Sequence, residues 1–197
     1  MKKQVMNFLS MALMALVLFS CGGGSGKKGS GGKSLFTPVS SGHPYEMLVV
    51  IDKDMWERPA GRALFNALDM DVPGLPQPER SFRISQIIPD KFERGFRIFR
   101  NIIDVDIQPI YTQPKLKYSR DSYASPQMIM TIQAPDEASF EEFVNQNKQV
   151  IVDFFTKAEM NRQINLLKEK YSDVVATKVG SMFGCDVRVP VGFERDK

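Results

Sequence analysis

An α+β fold is what this chain of 197 residues predicts, with a mixed, mainly antiparallel sheet and helices packed over one face. Three observations predict it. Met47-Leu48-Val49-Val50-Ile51 is a continuous apolar run bounded by acids, the pattern of a strand buried on both sides. Ile103, Val105 and Ile107 alternate with Asp104 and Asp106, the pattern of a half-buried strand. Phe140, Phe143, Val144, Ile151, Phe154, Phe155 and Ala158 recur at helical spacing, and Met160, Ile164, Leu167 and Tyr171 continue the stripe, which predicts one long helix near 139–171.

The remaining elements follow in order. Pro59 suits the first turn of a helix running to Asp69, with Ala63, Leu64, Ala67 and Leu68 on one face. The prolines at 73, 76 and 78 make 72–78 a stiff loop. Phe82, Ile84 and Ile88 share a strand that Pro89 ends, and Phe92, Phe96 and Phe99 predict a helix over 91–100 despite Gly95. Residues 111–126 are polar with two prolines, a loop or weak hairpin, and 127–133 form another strand. Ser139 and Glu142 predict a capping box for the long helix. A second helix over 173–183 ends at Gly184, and 185–191 predict a last strand that starts with a buried Cys185.

Ahead of this domain, Lys2 and Lys3 precede an apolar segment from Phe8 to Phe19 that is too short to span a bilayer as a helix. It closes on Leu18-Phe19-Ser20-Cys21, which resembles a bacterial lipobox. The resemblance implies cleavage after Ser20 and acylation of Cys21. The expected organisation is a signal peptide at 1–20, a lipidated Cys21 with a Gly/Ser/Lys-rich linker at 21–44, and one domain at 45–197. One acyl chain holds a protein only marginally, whereas two or three hold it firmly. Removing the signal takes away two lysines and no acid, so the formal charge of +3 falls to +1. That balance gives no case for a nucleic-acid partner. No acid occurs between Cys21 and Glu46. By likeness to lipoprotein sorting signals, this implies the outer membrane with the domain facing the periplasm. Acylated Cys21 leaves Cys185 without an intramolecular disulfide partner.

Gly42 to Ile51, Trp56 with Gly61, Leu75-Pro76-Gln77-Pro78-Glu79, Arg100-Asn101-Ile102 and Tyr123-Ala124-Ser125-Pro126-Gln127 together resemble the Bacteroidota lipoproteins grouped as domain-of-unknown-function family 4837. The resemblance implies an envelope lipoprotein with no assigned activity. It also implies a longer chain with further strands, so the domain is expected to be incomplete at its C-terminus.

Few residues carry chemistry. Gly32-Lys33-Ser34 ends like a phosphate-binding loop, but Lys27 stands where that loop needs glycine. Asp52 and Asp54 follow an apolar strand, which is similar to the first motif of haloacid-dehalogenase-like phosphatases. That likeness implies a nucleophile, a general acid and magnesium, with Thr131 and Asp186 as loose counterparts of later motifs. Trp56 stands where that motif has Thr or Val, and ending a strand and opening a turn is the more economical reading of both acids. Asp104 and Asp106 point to one face, where paired carboxylates bind calcium, share a proton or simply meet solvent. His43 is the single histidine, which excludes a site built on paired histidines. Trp56 and Gln77 are the binding candidates, with Tyr45, Tyr111, Tyr118 and Tyr123 as further groove-lining aromatics. Lys115, Lys117 and Arg120 form a basic run suited to lipid headgroups.

The function expected is that of a non-enzymatic binding or accessory lipoprotein of the cell envelope, held to the membrane through Cys21, with a periplasmic protein or small ligand as partner. No catalytic residue, metal or cofactor is assigned. A magnesium-dependent phosphatase using Asp52 and Asp54, and a structural partner in an envelope complex, are the alternatives.

Overall fold

Parallel pairing dominates the sheet in the computed structural model, which describes residues 37–192. The expected signal peptide, Cys21 and the linker up to residue 36 lie outside the described residues. Five strands, β1 (Glu46–Val50), β2 (Arg83–Ile87), β3 (Asn101–Ile107), β4 (Lys115–Arg120) and β5 (Met128–Ala134), form one sheet in the order β2-β1-β3-β5-β4. With α1 (Lys53–Glu57), α2 (Pro59–Leu68), α3 (Arg94–Arg97), α4 (Glu137–Glu169) and α5 (Asp173–Phe183), the class is α+β with a mixed sheet.

The expectation of a mainly antiparallel sheet is corrected. β1–β2, β1–β3 and β3–β5 are parallel, and only β4–β5 is antiparallel. The reason lies in the connections. Residues 51–82 and 88–100 are each long enough to carry the chain back across the sheet, which parallel neighbours require. The unbroken apolar run of β1 is the matching local signal, because a central parallel strand is buried on both faces.

α2 and α4 cover one face, over Met47, Val49, Ile103, Met130 and Ile132. The other face is covered over half its width, where Phe92 and Phe99 pack on Leu48, Val50, Ile87, Ile102 and Ile129. A 3₁₀ turn at Pro89–Lys91 and the single turn α3 replace the helix expected over 91–100. Gly95 weakens helix at that point, and the two outer phenylalanines are used as plugs rather than as a helical face.

Caps decide the helix ends. Asp136, not Ser139, caps α4 and accepts from Ser139 N at 2.8 Å. That carboxylate is held below its ordinary range by the backbone and side-chain hydrogen bonds of Ser139. At 33 residues and about 1.5 Å each, α4 is roughly 50 Å long and is buried as far as Glu159; beyond it, Met160, Ile164 and Leu166 are exposed. Gly184 closes α5 in the left-handed conformation at φ 67°, as expected. Gly61 is required by contact: a Cβ there would sit 2.4 Å from the Met55 carbonyl oxygen, where α1 and α2 meet.

The final strand expected at 185–191 is absent, and Cys185 is exposed. The segment lies beyond the sheet-covered part of α4 and turns back to α5, where Val189 O accepts from Ser172 N at 2.9 Å. At the other end, Ser40 and Ser41 already bond to Ser125 O and Ile98 O, so folded chain precedes the expected start at Tyr45.

Candidate functional site

At the N-terminal edge of β3 and β5 the chain buries charge. Glu159 on α4 is 0% exposed, one helical turn past Phe155, where the apolar row reaches the end of the sheet. It accepts from Arg100 at 2.8 Å, from Arg162 at 2.7 Å and from Asn101 Nδ2 at 2.6 Å. Asn101, the first residue of β3, also donates to Glu46 O at 2.9 Å and accepts from Arg162 at 2.7 Å. Arg162 further donates to Arg100 O at 3.0 Å.

The charges do not balance. Two guanidinium groups, with side chains 14% and 10% exposed, share one carboxylate. Burial, followed by Glu159 pulling the other way and by Arg100, leaves the Arg162 guanidinium below its ordinary range, although the charge of Asp121 also acts to raise it. Arg100 Nε is buried with no acceptor among the described residues. A surplus cation and a surplus donor in a poorly solvated place both favour a nearby anion.

A cavity of about 300 Å³ opens beside this network, at the lower end of the range for small-molecule sites. Phe154, Lys157, Ala158, Asn161, Arg162 and Asn165 line one wall, spaced three and four apart on a single face of α4. Arg120, at the end of β4, and Met128, at the start of β5, line the other. Arg120, Lys157 and Arg162 supply three cations, and no acid among the described residues lines the cavity. Arg120 pairs with Asp121 at 3.6 Å and Lys157 with Asp153 at 4.0 Å. These are exposed contacts worth little and easily exchanged for a ligand. Pro126, Met128, Phe154 and Ala158 give the cavity an apolar part, and Tyr118 stacks outside on Phe154 with ring centroids 4.7 Å apart.

The loop before β5 is fixed by Gln127, which is buried. Its Nε2 donates to Arg97 O at 2.6 Å and Phe99 O at 2.7 Å, and its Oε1 accepts from Tyr123 N at 3.0 Å. Arg100-Asn101 and Tyr123–Gln127, which are distant in sequence, thus build one edge of the site.

Elsewhere the sequence candidates are scattered. Trp56 packs edge-on against Phe65 at 5.8 Å, and Gln77 is exposed in the proline-rich loop; neither lines the cavity. Tyr45 packs on Phe82 and Tyr123 on Phe92, so the aromatics share no groove. Asp52 is occupied as the cap of α1, accepting from Asp54 N at 2.9 Å and Met55 N at 3.1 Å. Thr131 lies within β5, two strands from β1, and Asp186 lies in the exposed segment after α5, so neither is assembled with Asp52 by the sheet. His43 is exposed in a turn, where its backbone N–H donates to Glu46 at 2.8 Å. The basic run of β4 is split by strand alternation, Arg120 going to the cavity and Lys115 and Lys117 to the opposite face.

On that opposite face, Asp104 and Asp106 titrate in opposite directions. Burial, then the charge of Asp106, pushes the Asp104 carboxyl above its ordinary range. Burial also acts to raise Asp106, but hydrogen bonds from Tyr111, Gln133 and Gln108 prevail and hold it below. Asp106 therefore contributes stability above its unfolded pKa, lost as pH falls through its depressed native value. Asp104 behaves inversely: its contribution is present at acid pH, below the unfolded pKa, and is lost as pH rises through the raised native value. Asp104→Asn is expected to raise Tm by a few degrees at pH 7, with the gain vanishing in the acid range. Thermal melts across pH check this, and an Asn variant less stable at pH 7 would refute it.

The sequence model of one family, described as a domain of unknown function (DUF8532), matches residues 40–168, which hold the sheet, the cavity and the buried charge network. No curated protein and no solved structure matches the chain.

Proposed function

We propose for this chain, which belongs to the DUF8532 family, that it is a lipid-tethered binding module of the cell envelope whose cavity takes a small anion carried on an apolar body. The lipobox-like Leu18-Phe19-Ser20-Cys21 and the resemblance to Bacteroidota lipoproteins support the tether, the outer membrane and the periplasmic side. One observation carries the ligand class: two buried guanidinium groups share a single carboxylate beside a cavity that, among the described residues, is lined by cations and no acid. The apolar part selects the body of the ligand, and Asn161 and Asn165 offer amides to its polar edge.

The test is calorimetric titration of the full chain in detergent with phenyl phosphate, benzoate and neutral benzyl alcohol. The two anions are expected to bind and the alcohol not to, with affinity falling as salt rises. Arg120→Gln, at the exposed edge of the cavity, removes a solvent-screened contact worth about 0.5–1 kcal/mol, or roughly two- to fivefold in Kd. Equal binding of the neutral alcohol, or no loss with Arg120→Gln, would refute the reading.

A further inference from the structure

The half of the second sheet face that Phe92 and Phe99 leave uncovered among the described residues points to a separate site, and we infer that Asp104, Asp106 and Gln133 bind a divalent cation of the calcium type. This rests on different residues from the cavity and stands or falls apart from it. In the β3–β5 register, Asp104 is opposite Thr131 and Asp106 is opposite Gln133. The four side chains share one face, at the corners of a rectangle of about 5 by 7 Å. All four carry oxygen, the donor that hard cations take, and water fills the remaining positions of a flexible coordination shell.

Two carboxylates alone would not make a site. The second observation is Gln133. The residue is 4% exposed, and its Oε1 is buried with no donor among the described residues. Its Nε2 is occupied, donating to Asp106 at 2.7 Å and to the Tyr111 hydroxyl at 2.5 Å. Those bonds fix which end of the amide is nitrogen, because the reversed amide would set oxygen against carboxylate. The free oxygen shares its amide with the nitrogen that meets Asp106, and no donor among the described residues reaches it. An unpaired buried acceptor is costly, and a cation satisfies it. Asp104 has no hydrogen-bond donor among the described residues either, whereas Asp106 is already oriented by Tyr111, Gln108 and Gln133. Lys117, opposite Thr131, and Lys115, opposite Gln133, are exposed on the same face and are the countercharges a cation must compete with.

Terbium is a spectroscopic stand-in for calcium, and Tyr111, bonded to Asp106, is placed to sensitise its emission. Titrating the full chain with terbium is expected to give tyrosine-sensitised luminescence that saturates and that calcium displaces. Asp104→Asn and Gln133→Met should each weaken calcium at least tenfold. Lys117→Met, an exposed substitution that leaves the core alone, should tighten it several-fold, which keeps the inference testable if a buried variant misfolds. Absence of sensitised emission, or emission that survives Asp104→Asn with Asp106→Asn, or a Lys117→Met affinity equal to the parent's, would overturn it. Loss of phenyl phosphate binding in these variants is not expected, since the cavity lies on the opposite side of the sheet.

Discussion

Glu159→Ala is expected to destabilise the domain by about 3–5 kcal/mol, the cost of leaving a buried charge without its partner. For a chain of this size that is a fall in Tm of roughly 6–20 °C, measurable by circular dichroism. The carboxylate holds Arg100 at 2.8 Å, Arg162 at 2.7 Å and Asn101 at 2.6 Å. Without it, the two guanidinium groups lose the one carboxylate they share. The loss is expected to be partly reversed by phosphate or sulfate in the buffer, more so than for the parent, because a small anion can stand where the carboxylate stood. A variant as stable as the parent would show that the surplus charge is solvated, and the case for an anion in the cavity would fall with it.

A triple replacement by apolar residues at Arg100, Glu159 and Arg162 separates stability from function. Buried ion triads often give way to well-packed apolar side chains at no cost. Such a variant is expected to regain most of what Glu159→Ala loses and yet to bind no anion. The triad would then serve the cavity more than the fold.

Much of the fold is legible in the sequence because local signals are strong. The run at 47–51, the start of α2 at Pro59 and the glycine stop at 184 each have a local physical cause, and the structure keeps all three. Strand direction is not local. It depends on which strand the chain returns to after 51–82 and 88–100, and composition is silent on that. The candidate site was harder to read for a related reason. Its two edges, 97–101 and 120–128, meet only in space. Glu159 did leave a trace, since it falls four residues after Phe155 and eight after Ile151, an acid set into the apolar row. The polar face at 157, 161, 162 and 165 is likewise visible as a break in that stripe. Trp56 is a large aromatic near a loop, but its neighbours are Phe65 and the backbone brought close by Gly61, which makes it part of the packing.

Phe155→Ala is expected to cost about 3–5 kcal/mol as well, by a different mechanism. Phe155 is fully buried and meets Phe82 edge-on at 6.4 Å and Phe154 edge-on at 4.9 Å. It joins α4 to the chain entering β2, and through Phe154 it braces a wall of the cavity. Truncation removes apolar contact and leaves a void that the sheet cannot close, since Met47, Val49 and Ile103 are fixed in register around it. The two alanine variants, one helical turn apart, are therefore expected to fall by similar amounts and to respond differently. Anions should help Glu159→Ala and leave Phe155→Ala unchanged, because no charge is uncovered there. Phe155→Ala should keep its preference for phenyl phosphate over benzyl alcohol while binding more weakly, as the apolar wall loosens and the cations stay. Thermal melts with and without phosphate, paired with the same titrations, decide this. A cost for Phe155→Ala below about 1 kcal/mol would mean that α4 is held by its charge network rather than by its apolar row, which its burial contradicts.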